Sequence, residues 1–194
     1  MEARYFEGQE EYQQAAELYQ LAIELEQNAS LEVAYARALA RSGQPSKAAE
    51  SLENARQAFP RNPQILMNLA MLHQENEAPD KAIPSYEKLL EINPRNVIAL
   101  NNLAWIYYQK GDNRAMELAR KAFELKPDNA AIADTYGWIL LKAGQIEESL
   151  PVLEKAHELQ PDSEEIAMHL AEAYRATGRD AEARRVLEKF GGQG

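Results

Sequence analysis

The sequence predicts an all-α protein built from a repeated pair of helices, and three observations support this class. The chain has 194 residues, of which 45% are hydrophobic and 27% charged, which is typical of an ordered chain. Ala, Glu, Leu, Lys and Gln dominate it, as they do in helical proteins. A set of landmarks also recurs about every 34 residues, which indicates helical units stacked on one another.

The clearest copy of the repeat runs from Asn96 to Asn129. It contains a buried position in a first helix, a glycine at a turn, a small residue in a second helix and a closing proline. These landmarks include Leu103, Tyr107, Gly111, Ala115, Ala122 and Pro127. The closing proline recurs with spacings of 34, 33 and 34 residues, at Pro60, Pro94, Pro127 and Pro161. Because proline stops a helix and starts an extended link, this spacing marks the repeat boundaries.

Taken in order, the chain begins with a partial unit over residues 1–28, whose second helix is predicted over residues 12–26. Five units follow, at 29–62, 63–96, 97–129, 130–163 and 164–190, with a tail at 191–194. The buried residue in the middle of each first helix is predicted at Tyr35, Leu69, Leu103, Tyr136 and Leu170. Since each unit packs on its neighbours, we expect a single domain over residues 1–194.

A glycine is predicted at the turn inside each unit, because the end of a helix often needs a positive φ. Glu77 takes the place of this glycine in the second unit, and we expect a less regular turn there. Small residues early in each second helix allow it to approach the first helix closely, at Ala48, Ala82, Ala115, Ser149 and Ala183.

These recurring landmarks resemble the tetratricopeptide repeat family over residues 12–190. The family's tryptophan near the start of the first helix is absent, and its place is taken by Glu32, Leu66, Leu100, Ala133 and Ala167. The runs LNNLAWIYYQKGD and DTYGWILLKAGQIEESLPVLEKA are also similar to the last repeats of bacterial tetratricopeptide proteins associated with exopolysaccharide and envelope systems. The resemblance implies a right-handed α-solenoid in which first helices line a concave groove.

If Leu103 faces its own second helix, positions about two and five residues away turn toward that groove. We therefore predict a ligand-binding groove lined by Met67, Met71, Asn101, Trp105, Tyr108, Asp134, Trp138 and Leu141. Trp105 and Trp138 are expected to lie side by side on adjacent first helices. They either anchor a peptide or helix, since Trp and Tyr dominate binding hot spots, or pack between neighbouring first helices.

The charge of the chain restricts its partners. A net charge of -10 and a pI near 4.9 argue against binding nucleic acid or an anionic membrane, because both need a basic surface. Neutral or basic partners are favoured instead. No apolar run approaches the ~20 residues that cross a bilayer, and the start of the chain does not resemble a signal peptide. The compartment stays open between the cytoplasm and the bacterial periplasm.

The sequence contains no pattern typical of an enzyme. The absence of cysteine excludes thiolate nucleophiles and cysteine-bound zinc. His73, His157 and His169 lie in separate units and are expected to be isolated, structural residues. We therefore predict no catalysis, no cofactor and no metal site.

The leading functional prediction is a non-catalytic protein–protein interaction scaffold that binds a partner peptide or helix in the groove. One alternative is a carbohydrate-associated module in exopolysaccharide synthesis or export, in which the aromatic residues stack on sugars. Another is a structural spacer within a longer array. The terminal helices lack polar covers, so end-to-end self-association is also expected, through residues 12–25 and through Val186, Leu187 and Phe190.

Overall fold

The computed structural model describes residues 2–191, and this part of the chain contains twelve α-helices and a final 3-10 helix. The first six are α1 (Glu2–Gly8), α2 (Tyr12–Leu25), α3 (Ala29–Arg41), α4 (Pro45–Ala58), α5 (Pro63–Glu75) and α6 (Pro79–Ile92). The other six are α7 (Val97–Gln109), α8 (Arg114–Leu125), α9 (Ala130–Lys142), α10 (Ile146–Leu159), α11 (Glu164–Ala176) and α12 (Asp180–Leu187), followed by the 3-10 helix Glu188–Phe190. No strand occurs between residues 2 and 191, so the predicted all-α class is confirmed. Residues 192–194 of the predicted tail lie outside the described residues.

The helices form two compact units, one ending at Pro94 and the other beginning at Arg95. The N-terminal unit contains α1 to α6, and the C-terminal unit contains α7 to α12. Within each unit, consecutive helices pack together, and first helices of successive repeats also touch: α3 meets α5, α7 meets α9, and α9 meets α11. That the chain is one continuous domain stays a prediction.

A polar side chain caps the start of every first helix. The Asn28 side chain accepts a hydrogen bond from the Ser30 backbone N–H at 2.8 Å, and Asn96 accepts one from Ala99 at 3.0 Å. The same role is filled in the other repeats by Asn62, Asn129 and Ser163. Because each cap satisfies an otherwise unpaired N–H and contributes about 1 kcal/mol, these residues define where each repeat starts.

The turns between paired helices share one backbone conformation. Gly43, Gly111, Gly144 and Gly178 all have positive φ, between 68° and 81°. Glu77 adopts the same conformation, with φ of 55°, and its N–H bonds to the Gln74 carbonyl at 3.0 Å as Gly43 bonds to Ala40 at 3.1 Å. The expectation of a less regular turn at Glu77 is therefore wrong. The turn has the same geometry as the glycine turns. Because Glu77 has a Cβ, its left-handed backbone conformation carries a steric cost in free energy.

The substitution Glu77→Gly is expected to raise the free energy of unfolding by about 0.5–1 kcal/mol, because glycine adopts this φ without steric cost. Urea denaturation followed by circular dichroism measures the change. Gly43→Ala, at the equivalent turn of the preceding repeat, is the matched control and should lower stability. A Glu77→Gly midpoint equal to that of the wild type would show that the turn is not strained.

Small residues hold the paired helices close together, as the sequence predicts. Ala48, Ala82, Ala115, Ser149 and Ala183 are all buried. The predicted markers Leu69, Leu103 and Leu170 are buried too. Tyr35 and Tyr136 are only partly buried, so the prediction of full burial is wrong in those two repeats. The phenol ring of Tyr136 instead stacks on Phe123 with the ring centroids 5.3 Å apart.

Helices α9 and α10 approach each other closely at Gly137. The Ser149 hydroxyl donates a hydrogen bond to the Gly137 carbonyl at 2.7 Å. The one polar side chain among the five small residues between paired helices therefore has a hydrogen-bond partner. A Cβ added to Gly137 would lie 2.7 Å from Cγ of Leu153. Gly137 is thus required for close packing rather than for an unusual φ, and it immediately precedes Trp138.

The substitution Gly137→Ala is expected to destabilise the protein by about 1–3 kcal/mol, since the new methyl group overpacks the core. The sign of this change is informative, because replacing glycine by alanine in an ordinary helix interior would instead stabilise the protein by about 1 kcal/mol. Thermal or urea unfolding measures it, with Leu153→Ala as the partner in a double-mutant cycle. A double-mutant loss that simply equals the sum of the single losses would contradict the contact.

Apolar surface at the two ends of the described chain is unequal. Leu21 and Leu25 of α2 are 57% and 90% exposed, whereas Val186 and Leu187 pack against the core of the C-terminal unit. The larger uncovered surface therefore belongs to α2. Among the helices described, none is both long and apolar enough to cross a membrane.

Candidate functional site

The eight residues predicted to line a groove are divided between the two units. Met67 and Met71 lie on α5 of the N-terminal unit. The other six lie on α7 and α9 of the C-terminal unit, namely Asn101, Trp105, Tyr108, Asp134, Trp138 and Leu141. The two groups are therefore described separately.

The N-terminal unit has a pocket of about 320 Å³ between α3 and α5. Met71 lines it and is exposed, whereas Met67 is half-buried and does not contribute. The walls combine apolar side chains with two arginines and one glutamate: Ala36, Arg37, Ala40, Arg41, Leu52, Asn68, Met71, Leu72 and Glu75. Such a lining can hold an apolar group while charged side chains orient it.

On α7 of the C-terminal unit, the aromatic pair consists of Trp105 and Tyr108, which lie about one turn apart. Their ring centroids are 5.4 Å apart with the planes inclined by 36°, and both side chains are half-buried. One turn earlier, the Oδ1 atom of Asn101 is covered but has no hydrogen-bond partner. This helix thus presents a partly open aromatic surface beside a polar atom without a hydrogen-bond partner.

Between α9 and α11 the structure brings together residues that the sequence placed apart. His169 Nδ1 lies 2.9 Å and 3.0 Å from the two carboxylate oxygens of Asp134, and both residues are buried, with 7% of Asp134 and 9% of His169 exposed. The Trp138 indole stacks on the His169 ring with centroids 3.9 Å apart. Lys142 Nζ lies 4.1 Å from the Trp138 ring centroid, and the ammonium also pairs with Glu172. The expectation that His169 is isolated is wrong.

The two tryptophans consequently have different surroundings. Trp138 packs against the neighbouring first helix, which is the packing alternative considered for both indoles. Trp105 pairs with Tyr108 of its own helix, and the two indoles do not form a ring pair with each other in the described structure. Leu141 is buried in the core with Leu153 and Leu170. Both indoles are thus half-buried, but one face of the Trp138 ring is covered by His169.

Of the other two histidines, His73 differs from the expectation of isolation, whereas His157 does not, because its Nδ1 is buried without a hydrogen-bond partner. His73 is buried on α5, with Nε2 3.3 Å from the Glu53 carboxylate. Partial burial alone would raise the pKa of Glu53, but hydrogen bonds from Arg56 and His73 reverse this and lower it. Burial lowers the pKa of His157, to which Lys189 adds, and this favours a neutral imidazole on α10.

Within the described residues, one group of three side chains has ligand atoms close enough to hold a metal ion. It consists of Asp134, Glu165 and His169, each offering one ligand atom within 4.8 Å of the others. Sequence reasoning missed this group because its members are distributed over two helices. A histidine four residues after a glutamate on α11 was the available clue.

Comparison with known proteins places the chain among helical repeats. Models of the tetratricopeptide repeat family match residues 33–92, 85–117 and 140–190. No curated protein matched the chain.

Three solved structures illustrate the likeness in fold. A tetratricopeptide repeat protein from Parabacteroides merdae ATCC 43184 is 23% identical, with a TM-score of 0.82 over 97% of this chain and 75% of that one. YrrB, described as a TPR protein with an unusual peptide-binding site, is 18% identical, with a TM-score of 0.74 over 90% of this chain and 91% of its own. MamA from Desulfovibrio magneticus RS-1 is 18% identical, with a TM-score of 0.73 over 83% of this chain and 92% of its own. These structures show the likeness in fold, and the family models that together match residues 33–117 and 140–190 show that the chain belongs to the tetratricopeptide repeat family.

Proposed function

We propose that this protein is a non-catalytic scaffold that binds a partner peptide or helix, and that Trp105 and Tyr108 anchor the partner. Tetratricopeptide repeats generally serve as interaction scaffolds without catalysis. The observation that carries the proposal is the half-buried aromatic pair on α7. Aromatic side chains in partly desolvated positions supply most of the energy of many interfaces.

The contact between Trp105 and Tyr108 favours binding for an entropic reason. Because the rings already pack together at 5.4 Å, a partner loses little by immobilising them. Trp138 already contacts His169 and Lys142, so less of its ring surface is available to a partner. Trp105 is therefore expected to contribute more binding energy than Trp138.

The eight predicted residues form two separate candidate contact surfaces, one on each unit, and have different roles within them. The covered Oδ1 atom of Asn101 can accept a hydrogen bond from a partner's backbone N–H once the side chains that cover it move aside. Asp134 and Leu141 are buried and support the contact surface without touching the partner. In the N-terminal unit, Met71 is the contact residue of the pocket, and its flexible thioether can adapt to different apolar groups. Met67 supports it from the same helix.

Two further observations favour a peptide of neutral or basic character. The net charge of -10 attracts basic partners and repels acidic ones. YrrB, which resembles this chain over 90% of its length, is itself described as having a peptide-binding site. A segment with one or two apolar anchors and basic flanks fits both the aromatic pair and the charge.

Peptides selected from a random display library against the full chain test this proposal. Trp105→Ala is expected to weaken their binding by about 30-fold or more, since a hot-spot aromatic contributes about 2 kcal/mol. Trp138→Ala should have a smaller effect, and Tyr5→Ala, which removes an exposed aromatic of α1, serves as the control. Fluorescence anisotropy of labelled peptides gives the dissociation constants.

Equal affinity of every selected peptide for wild type and Trp105→Ala would overturn the assignment. Titration of tryptophan emission with oligosaccharides distinguishes the carbohydrate-associated alternative, which requires a response to sugars and none to peptides. No response to either, with both indoles shielded from acrylamide, would support a structural spacer.

We also propose that copies of the chain associate through α2, whose Leu21 and Leu25 are the most exposed leucines described. Sedimentation velocity of the wild type should then show larger species as concentration rises. Leu21→Glu combined with Leu25→Glu should abolish them, while Leu159→Glu on α10 should not. Identical profiles for all three proteins would exclude this surface.

A further inference from the structure

We propose that Asp134, Glu165 and His169 form a binding site for a divalent transition-metal ion, with Zn²⁺ the best match. The three side chains come from two successive first helices, α9 and α11. This inference does not depend on peptide binding, since the ligand atoms are not on α7.

The geometry suits a metal of this size. His169 Nδ1 lies 2.9 Å from Asp134 Oδ1, and two ligand atoms bound tetrahedrally to one zinc ion at about 2.1 Å are about 3.4 Å apart, so the two side chains need to separate by only about 0.5 Å. Glu165 is one helical turn before His169, so its carboxylate can swing onto the same point from the exposed side. The three side chains would fill three coordination positions of the ion, and the fourth would stay open to solvent or to a side chain of a partner.

The chemistry of the donors selects the ion. One imidazole nitrogen and two carboxylate oxygens suit Zn²⁺ and its neighbours, whereas Mg²⁺ and Ca²⁺ prefer oxygen ligands alone. The absence of cysteine in the chain leaves no thiolate to compete for zinc.

The local charge favours a cation. Asp134, Glu165 and the nearby Glu172 carry three carboxylates, and Lys142 pairs with Glu172. With Glu172 paired to Lys142, the carboxylates of Asp134 and Glu165 remain beside His169, and a divalent ion would neutralise both. Asp134 is buried and contacts His169, and a bound cation would compensate its charge more fully than a neutral imidazole does.

Metal binding replaces the existing hydrogen bond between His169 and Asp134. Nδ1 must present its lone pair, so a proton on Nδ1 moves to Nε2 or to solvent as the ion enters. The Asp134 oxygen then exchanges a hydrogen bond for a metal bond. Trp138, stacked on the imidazole ring, is placed to report this exchange through its emission.

Titration of the full chain, without a histidine tag, with ZnCl₂ in a calorimeter tests the site. We expect one ion per chain, a change in tryptophan emission that saturates at the same ratio, and a rise in melting temperature with excess zinc. Glu165→Gln removes an exposed ligand without disturbing the core and should weaken binding by at least about tenfold. His169→Asn keeps a donor toward Asp134 but removes the nitrogen ligand, and should abolish binding.

The matched control is His73→Gln, which alters the other buried histidine–carboxylate pair. Its partner Glu53 lies 3.3 Å away, but no third ligand joins that pair in the described residues, so zinc affinity should not change. The proposal fails if the wild type binds no zinc stoichiometrically, or if Glu165→Gln, folded by circular dichroism, binds as tightly as wild type. Equal loss in His73→Gln would assign binding to another site and would also overturn the proposal.

Discussion

The close approach of the two helices within each repeat is the constraint on which the rest of the structure depends. It requires a small residue in each second helix, and Ala48, Ala82 and Ser149 meet this requirement with essentially no exposure. Only then can a thirteen- or fourteen-residue helix bury one face on its partner and present another to the next repeat. The left-handed turn and the capping side chain determine where each pair begins and reverses, so local chemistry and packing select the same register.

This packing also determines what the first helices can offer to other molecules. Gly137 lets α10 lie against α9, which places Trp138 beside His169 on the following first helix. On α7 the corresponding tryptophan, Trp105, has no such neighbour and pairs with Tyr108 instead. Two equivalent positions thus have different surroundings. Trp138 stacks on a residue of the next first helix, whereas the ring partner of Trp105 belongs to its own helix.

Much of the fold could be predicted from the sequence, since a period repeated in five units averages out local exceptions. The all-α class and the positions of the small residues between paired helices follow from that period. Burial of Tyr35 and Tyr136 could not be predicted, because a large ring fits the position only with part of it exposed. The contact between Asp134 and His169 also could not, because it joins residues at different positions of adjacent repeats and depends on the offset between α9 and α11. The asparagine and serine residues that cap the first helices can be read in the sequence, but they can be recognised as caps only once the first residue of each helix is known.

The polar links between α9 and α11 have a mechanical consequence. The two helices are joined along their length by Asp134 with His169, by the stack of Trp138 on the same ring, and by Lys142 with Glu172. Because each repeat touches only its neighbours, the bending of a stack of repeats is the sum of the bending at each contact between adjacent repeats. A joint held by three successive side-chain contacts resists bending, so we expect α9 and α11 to move together as one body. Asp134, Trp138 and His169 then keep their mutual distances when neighbouring helices move, which favours a preformed ligand set at this joint.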